Sequence, residues 1–170
     1  MKPFLLAMSL LTFLGITAAE ALPVGAAAPE LEAVDQDGQK LNLADQYRKG
    51  LVLVYFYPKA DTPGCTAQAC SLRDAYADLL TEGVHVIGVS HDSPAAQKKF
   101  QQKHHLPFPL LADQDGRIAK AFQVPTMMGF TKRQAFLIRD SKVIWADFSA
   151  STTRQADDVR KAVRDLGAKS

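Results

Sequence analysis

The chain has 170 residues, of which 47% are hydrophobic and 22% charged, with two cysteines and a formal net charge of +2. That length suggests one domain, and such weak, interspersed basicity leaves no electrostatic footprint for nucleic acid or an anionic membrane surface. Two cysteines are too few for a disulfide-stapled scaffold, so a hydrophobic core must carry the fold and the cysteines are free for chemistry.

Residues 1–21 have the pattern of a cleaved secretory signal. Met1-Lys2 is a short basic start, Phe4 to Ala19 is apolar, and Ala19-Glu20-Ala21 gives a small-x-small cleavage site. A spanning helix wants about 20 apolar residues, and this run is shorter and stops at Glu20. Loss of Lys2 and Glu20 leaves the charge at +2. The mature domain, residues 22–170, is therefore expected to be exported and soluble, in an environment where disulfides persist.

Leu31 to Val34 and Lys40 to Leu43 flank the turn signal Asp37-Gly38 and predict an N-terminal β-hairpin. Leu51 to Tyr57 and Val84 to Ser90 are continuous apolar runs, as strands buried on both faces read. Helical segments are predicted over about Thr66–Leu80, Pro94–His104, Ile118–Phe122 and Thr152–Leu166. Leu106 to Asp113 holds a short strand, and Gln134–Ile138 with Val143–Trp145 predict a second hairpin around Asp140-Ser141. Buried strand, helix, buried strand is a parallel crossover unit, and the late hairpin adds antiparallel strands. The fold class is α/β: a mixed central sheet flanked by helices, with active residues expected at the carboxyl ends of its strands.

Both cysteines lie in Tyr57-Pro-Lys-Ala-Asp-Thr-Pro-Gly-Cys-Thr-Ala-Gln-Ala-Cys70. Pro63-Gly64-Cys65-Thr66 opens a helix. Its first turn presents unpaired N–H groups and the positive end of the dipole, which stabilise a Cys65 thiolate. Thr62 adds a hydroxyl. On an intact helix, five residues separate Cα atoms by roughly 8 to 9 Å, whereas a disulfide needs about 4.4 to 6.8 Å. That spacing fits a pair that is reduced in a folded helix and oxidised after local unfolding. A static disulfide requires a different helix start. A metal site lacks ligands, because His85, His91, His104 and His105 are scattered and no Cys-x-x-Cys is present. Ser90-His91-Asp92 is not a catalytic relay, since adjacent residues on a strand end alternate in direction. His104 and His105 end a helix, and Asp35-Gln-Asp-Gly38 and Asp113-Gln-Asp-Gly116 are turns without the glutamate of a calcium loop.

The segment from Tyr57 to Cys70 resembles the active-site segment of the peroxiredoxins, in particular the PrxQ or bacterioferritin-comigratory-protein group. Pro58, Thr62 and Cys65 stand in the family's Pro-x-x-x-Thr-x-x-Cys order, and a second cysteine at plus five marks that group. The likeness extends through Asp35–Leu43, Val86–Ser90 with Asp92-Ser93, Leu106–Asp113, and Arg133 with Ala135–Ile138. It implies a thioredoxin-like fold and reduction of hydrogen peroxide and organic hydroperoxides without a cofactor. Cys65 would be the peroxidatic cysteine and Cys70 the resolving one, joined in an intramolecular disulfide. Thr62 and Arg133 would hold the peroxide oxygens, and Pro58 would shield the thiolate. A thioredoxin-like dithiol would be the reductant. The chain departs from the family at Gln134-Ala135, where small hydroxyl residues often support the arginine.

The expected protein is a monomer or weak dimer in a bacterial periplasm. Phe130, Phe122 and Met127 are expected to line an apolar entrance. A general dithiol–disulfide oxidoreductase would normally carry Cys-x-x-Cys, and a copper-handling module would need a histidine or methionine beside the cysteines. Met127 and Met128, in a loop before Arg133, are expected to pack over the site instead.

Overall fold

The computed structural model describes residues 21–167; the expected signal segment, Ala21 apart, lies outside them. Strands β1 (Glu32–Val34) and β2 (Lys40–Asn42) form the antiparallel N-terminal hairpin. The Asp35 carboxylate closes its turn, accepting the N–H groups of Asp37 and Gln39 at 2.8 and 2.9 Å. A short helix α1 (Leu43–Tyr47) follows, capped by Asn42, whose side-chain oxygen accepts the Ala44 N–H at 2.9 Å. Five residues are too few for apolar periodicity to register, and the sequence reading missed it.

The remaining elements alternate as expected. They are β3 (Leu51–Phe56), α2 (Pro63–Asp74), α3 (Tyr76–Thr81), β4 (Val84–Ser90), α4 (Pro94–His104), β5 (Leu110–Ala112) and α5 (Arg117–Ala121). After them come β6 (Thr126–Met127), β7 (Phe130–Thr131), β8 (Gln134–Arg139), β9 (Lys142–Asp147) and α6 (Gln155–Gly167). Two corrections belong here. The single helix predicted over 66–80 is two, broken at Ala75, where ψ moves to 2° and the N–H bonds back to Ser71 and Arg73 carbonyls. Met127 and Met128 lie not in an open loop but in the tight hairpin β6–β7, turned by Met128 and Gly129 at φ 53° and 80°.

The five-stranded sheet runs β5-β4-β3-β8-β9, parallel across β5, β4 and β3, and antiparallel across β3, β8 and β9. Period-two alternation splits its side chains between two cores. Val52, Val54 and Phe56 face one side with Phe136, Tyr47 of α1 and Ile118 of α5. Leu53, Tyr55 and Tyr57 face the other with Leu137, Leu72 of α2, Phe100 of α4 and Val159 of α6. Burying each Leu, Val or Phe contributes about 1.5–3 kcal/mol, which is why β3 reads as an unbroken apolar run. Gly88 pairs with Tyr55 in the centre of the sheet. A Cβ there would stand 2.7 Å from Leu110 and 2.9 Å from the Tyr55 ring, so only glycine admits that tyrosine.

Register then gathers the site. Phe56 lies opposite Val89 on β4 and Gln134 on β8. The next residues outward, Tyr57, Ser90 and Arg133, therefore meet at one end of the sheet, the carboxyl end of the parallel strands.

Candidate active site

Thr62 is the N-cap of α2 in extended conformation, Pro63 occupies the first turn, and Cys65 follows inside that turn. The sequence reading of the helix start holds. The buried face of α2 is Cys65, Gln68, Ala69 and Leu72, at helical spacing. Cys65 is 1% exposed and Cys70 half-buried; both are free thiols. With α2 continuous between them, they occupy one helix five residues apart, the geometry that precludes a bond without unwinding.

Arg133 arrives from the residue before β8. Its Nη2 donates to Cys65 Sγ at 3.4 Å, and its Nη1 donates to Gln68 Oε1. Gln68 Nε2 donates in turn to Gln155 Oε1 on α6 at 2.8 Å. A guanidinium and the positive end of the α2 dipole therefore both face the sulfur. Gly64 packs beside the arginine: a Cβ there would sit 3.4 Å from Arg133 Nη2 and 3.3 Å from Thr152 Cγ2. The departure at Gln134-Ala135 has a local answer. Ala135 packs in the core, the Gln134 side chain turns to the Phe148 carbonyl at 3.5 Å, and the arginine takes its partner from Gln68 instead.

The loop carrying Pro58 and Thr62 is pinned at several points. Thr62 Oγ1 donates to the Lys59 carbonyl at 3.0 Å, so in this state its hydroxyl is turned into the loop rather than to the sulfur. The Ala60 N–H donates to Asp92 Oδ2 at 2.7 Å, and Thr131 Oγ1 donates to the Tyr57 carbonyl at 2.9 Å. Asp61, at φ 59°, pairs with Lys103 and His104 at 2.8 and 2.9 Å. Hydrogen bonds from His104 and Lys103 hold its carboxyl below the usual carboxylate range. Ser90 and Asp92 do meet, Oγ to Oδ2 at 2.7 Å, but His91 leaves them to bond the Gly129 carbonyl at 3.0 Å. The row of three is thus loop architecture. Beneath Cys65, burial pushes the phenols of Tyr55 and Tyr57 up, which keeps both neutral.

Over the site opens a concavity of about 690 Å³ lined by Pro58, Met127, Met128, Phe130, Lys132 and Arg133, among others. Phe130 and Met127 thus stand at the entrance as expected. Phe122 does not: it is fully buried in the opposite core, between Phe56 and Phe136. Met127 and Met128 line this mouth while remaining 77% and 89% exposed, so they rim the site rather than seal it. Among the described residues, no three His, Cys, Asp or Glu side chains are grouped to hold a metal ion. The sequence reading missed Gln68 and Gln155. Gln68 carried a signal, a polar residue three positions from Cys65 on the same helix face; Gln155, from the far end of the chain, carried none.

The model of the AhpC/TSA family matches residues 24–147. This chain belongs to that family. It is 44% identical over 140 residues to peroxiredoxin Bcp of Escherichia coli (strain K12), covering 76% of this chain and 89% of that one. Peroxidoxin BcpB from Mycobacterium tuberculosis superposes with a TM-score of 0.80 at 32% identity, over 84% of this chain and 97% of that one. The Xanthomonas campestris bacterioferritin comigratory protein, whose structures are described for alkyl peroxide reduction, superposes at 0.76 with 28% identity, over 86% and 99%. This peroxiredoxin therefore has the thioredoxin-like fold of the group its active-site segment resembles.

Proposed function

We propose that this thiol peroxidase works through Cys65, with Cys70 as its resolving partner. The observation that carries the reading is the Arg133 guanidinium 3.4 Å from a sulfur seated in the first turn of a helix. The Cys65 thiolate attacks one peroxide oxygen and forms an S–O bond as the O–O bond breaks. Negative charge develops on the departing oxygen, and donors aimed at that charge lower the barrier most. Arg133 and the free N–H groups of the first turn are such donors, and the Thr62 hydroxyl becomes one by rotating off Lys59. The departing oxygen takes a proton and leaves as water or an alcohol. Cys65 is left as a sulfenic acid. Pro58 shields the thiolate from water at the mouth, and the apolar rim of Met127 and Phe130 suits the carbon chain of an organic hydroperoxide.

Resolution follows local opening of α2. Cys70 attacks Cys65 Sγ, the S–S bond forms, and hydroxide leaves with the proton of the Cys70 thiol as water. A thioredoxin-like dithiol supplies two electrons and two protons to restore the thiols. The leader-like pattern of residues 1–21 supports export, so we infer that this cycle runs in a bacterial periplasm. We further propose a monomer or weak dimer as the working form.

Turnover coupled to thioredoxin and its reductase tests the assignment. Wild type consumes reductant with hydrogen peroxide and with an alkyl hydroperoxide; Cys65→Ser consumes none, and Cys70→Ser stalls after one oxidation. Sustained turnover by Cys65→Ser would overturn it.

A further inference from the structure

Gln155 opens α6 and lies 87 residues beyond Gln68, yet both side chains are fully buried and meet beside the reactive cysteine. The orientation of the Gln68 amide follows from its partners. A guanidinium only donates, so the amide oxygen must face Arg133, and its NH₂ must face away. That NH₂ finds Gln155 Oε1 at 2.8 Å. The Gln155 NH₂ has no hydrogen-bond partner of its own among the described residues, so its Oε1 ties it to Gln68; without that acceptor the Gln68 amide loses the bond that fixes its orientation, and its grip on Arg133 loosens. A chain of hydrogen bonds thus runs from α6 through Gln68 and Arg133 to Cys65 Sγ.

We propose that Gln155 is a positioning residue: through Gln68 it holds the Arg133 guanidinium against Cys65. The inference rests on Cys65 being the peroxide-reactive thiol. It has a second consequence. Gln68 lies between the two cysteines, in the stretch that must unwind before they meet, so the same bonds must break during resolution. Gln155 therefore favours the folded, peroxide-reactive helix over the opened, resolving one, and its loss acts with opposite sign on the two steps.

The test uses the reduced full domain. Gln155→Met keeps the length of the side chain and removes the acceptor; Gln155→Glu keeps an acceptor oxygen. Ser71→Ala removes only the neighbouring contact between the two helices, the Ala156 N–H donating to Ser71 Oγ at 3.3 Å. Rapid-quench mass spectrometry follows sulfenic acid and disulfide. The pH profile of iodoacetamide alkylation, in a Cys70→Ser background, reports the charge held beside Cys65.

Gln155→Met should slow sulfenic acid formation about tenfold, the order expected for a hydrogen bond to a charged group. It should also move alkylation to higher pH and speed disulfide formation from the sulfenic acid. Gln155→Glu should recover most of the first rate, and Ser71→Ala should match wild type in both measurements. Wild-type behaviour of Gln155→Met, or equal slowing by Ser71→Ala, would overturn the proposal. Should Gln155→Met fail to fold, Gln155→Asn, an amide too short to reach Gln68, carries the same prediction. If wild-type Cys65 ignores peroxide altogether, the peroxidase reading fails, and the alkylation profiles still decide the role of Gln155.

Discussion

At the scale of single residues, the site is a sulfur and a guanidinium brought together from opposite halves of the chain. Arg133 Nη2 reaches Cys65 Sγ at 3.4 Å because β8 pairs with β3 in a register that sets Gln134 beside Phe56. Arg133→Met keeps an unbranched side chain of similar length and removes the charge. The rate of Cys65 oxidation should fall about 10²- to 10³-fold, as when one oxyanion donor is lost. Stopped-flow oxidation with the thermal midpoint measured alongside checks this; an unchanged rate would remove Arg133 from the mechanism. Cys65, Thr62, Pro58 and Arg133 were singled out from the sequence, the last three through the family resemblance, and the structure sets Arg133 against Cys65 while the Thr62 hydroxyl turns to Lys59. The support behind Arg133 was not legible in the sequence. Gln68 sits on a visible helix face, but its partner Gln155 is fixed only once α6 docks on α2, a tertiary event with no local pattern.

At the scale of elements, the loop from Pro58 to Thr62 is anchored at the N-terminal side of α4 by Asp92 and at its C-terminal end by Asp61. The Asp61 carboxyl is held below its ordinary 3.8 by His104 and Lys103. A depressed carboxylate contributes stability above its unfolded value and loses it as pH falls through the folded one. Asp61→Asn should therefore be less stable than wild type at neutral pH, with the difference closing as pH drops below 3.8. Denaturant midpoints across that range check the sign; a gap that widens in acid would contradict the pairing. Gly88 is a second element-scale requirement. Gly88→Ala forces a Cβ to within 2.7 Å of Leu110 and 2.9 Å of Tyr55, and overpacking of this kind costs about 1–3 kcal/mol. Urea unfolding measures it, and a neutral result would mean that the Tyr55 ring shifts freely. The long buried strands and α4 were readable from continuous apolar runs and a Pro-led helix start. The short elements α1 and β6–β7 were not, because two to five residues carry no measurable period and the hairpin depends on Met128 taking a left-handed conformation.

At the scale of the molecule, one mixed sheet with a core on each face delivers Tyr57, Ser90 and Arg133 to one end, where α2 begins. The sheet class was readable from the alternation of strand and helix. The assignment of Phe122 to the site mouth failed because it depends on which face of the sheet α5 covers, and the sequence pattern leaves that open. In the proposed mechanism, α2 is reactive when folded and self-resolving when its first turns open. Intact mass of the reduced protein after one equivalent of peroxide, run with Cys65→Ser and Cys70→Ser, tests that claim most directly. Wild type should lose two hydrogens, Cys70→Ser should gain one oxygen, and Cys65→Ser should stay unchanged. A wild type that stays reduced under peroxide yet exchanges readily with a small disulfide would contradict the account and mark the pair as a general dithiol–disulfide oxidoreductase.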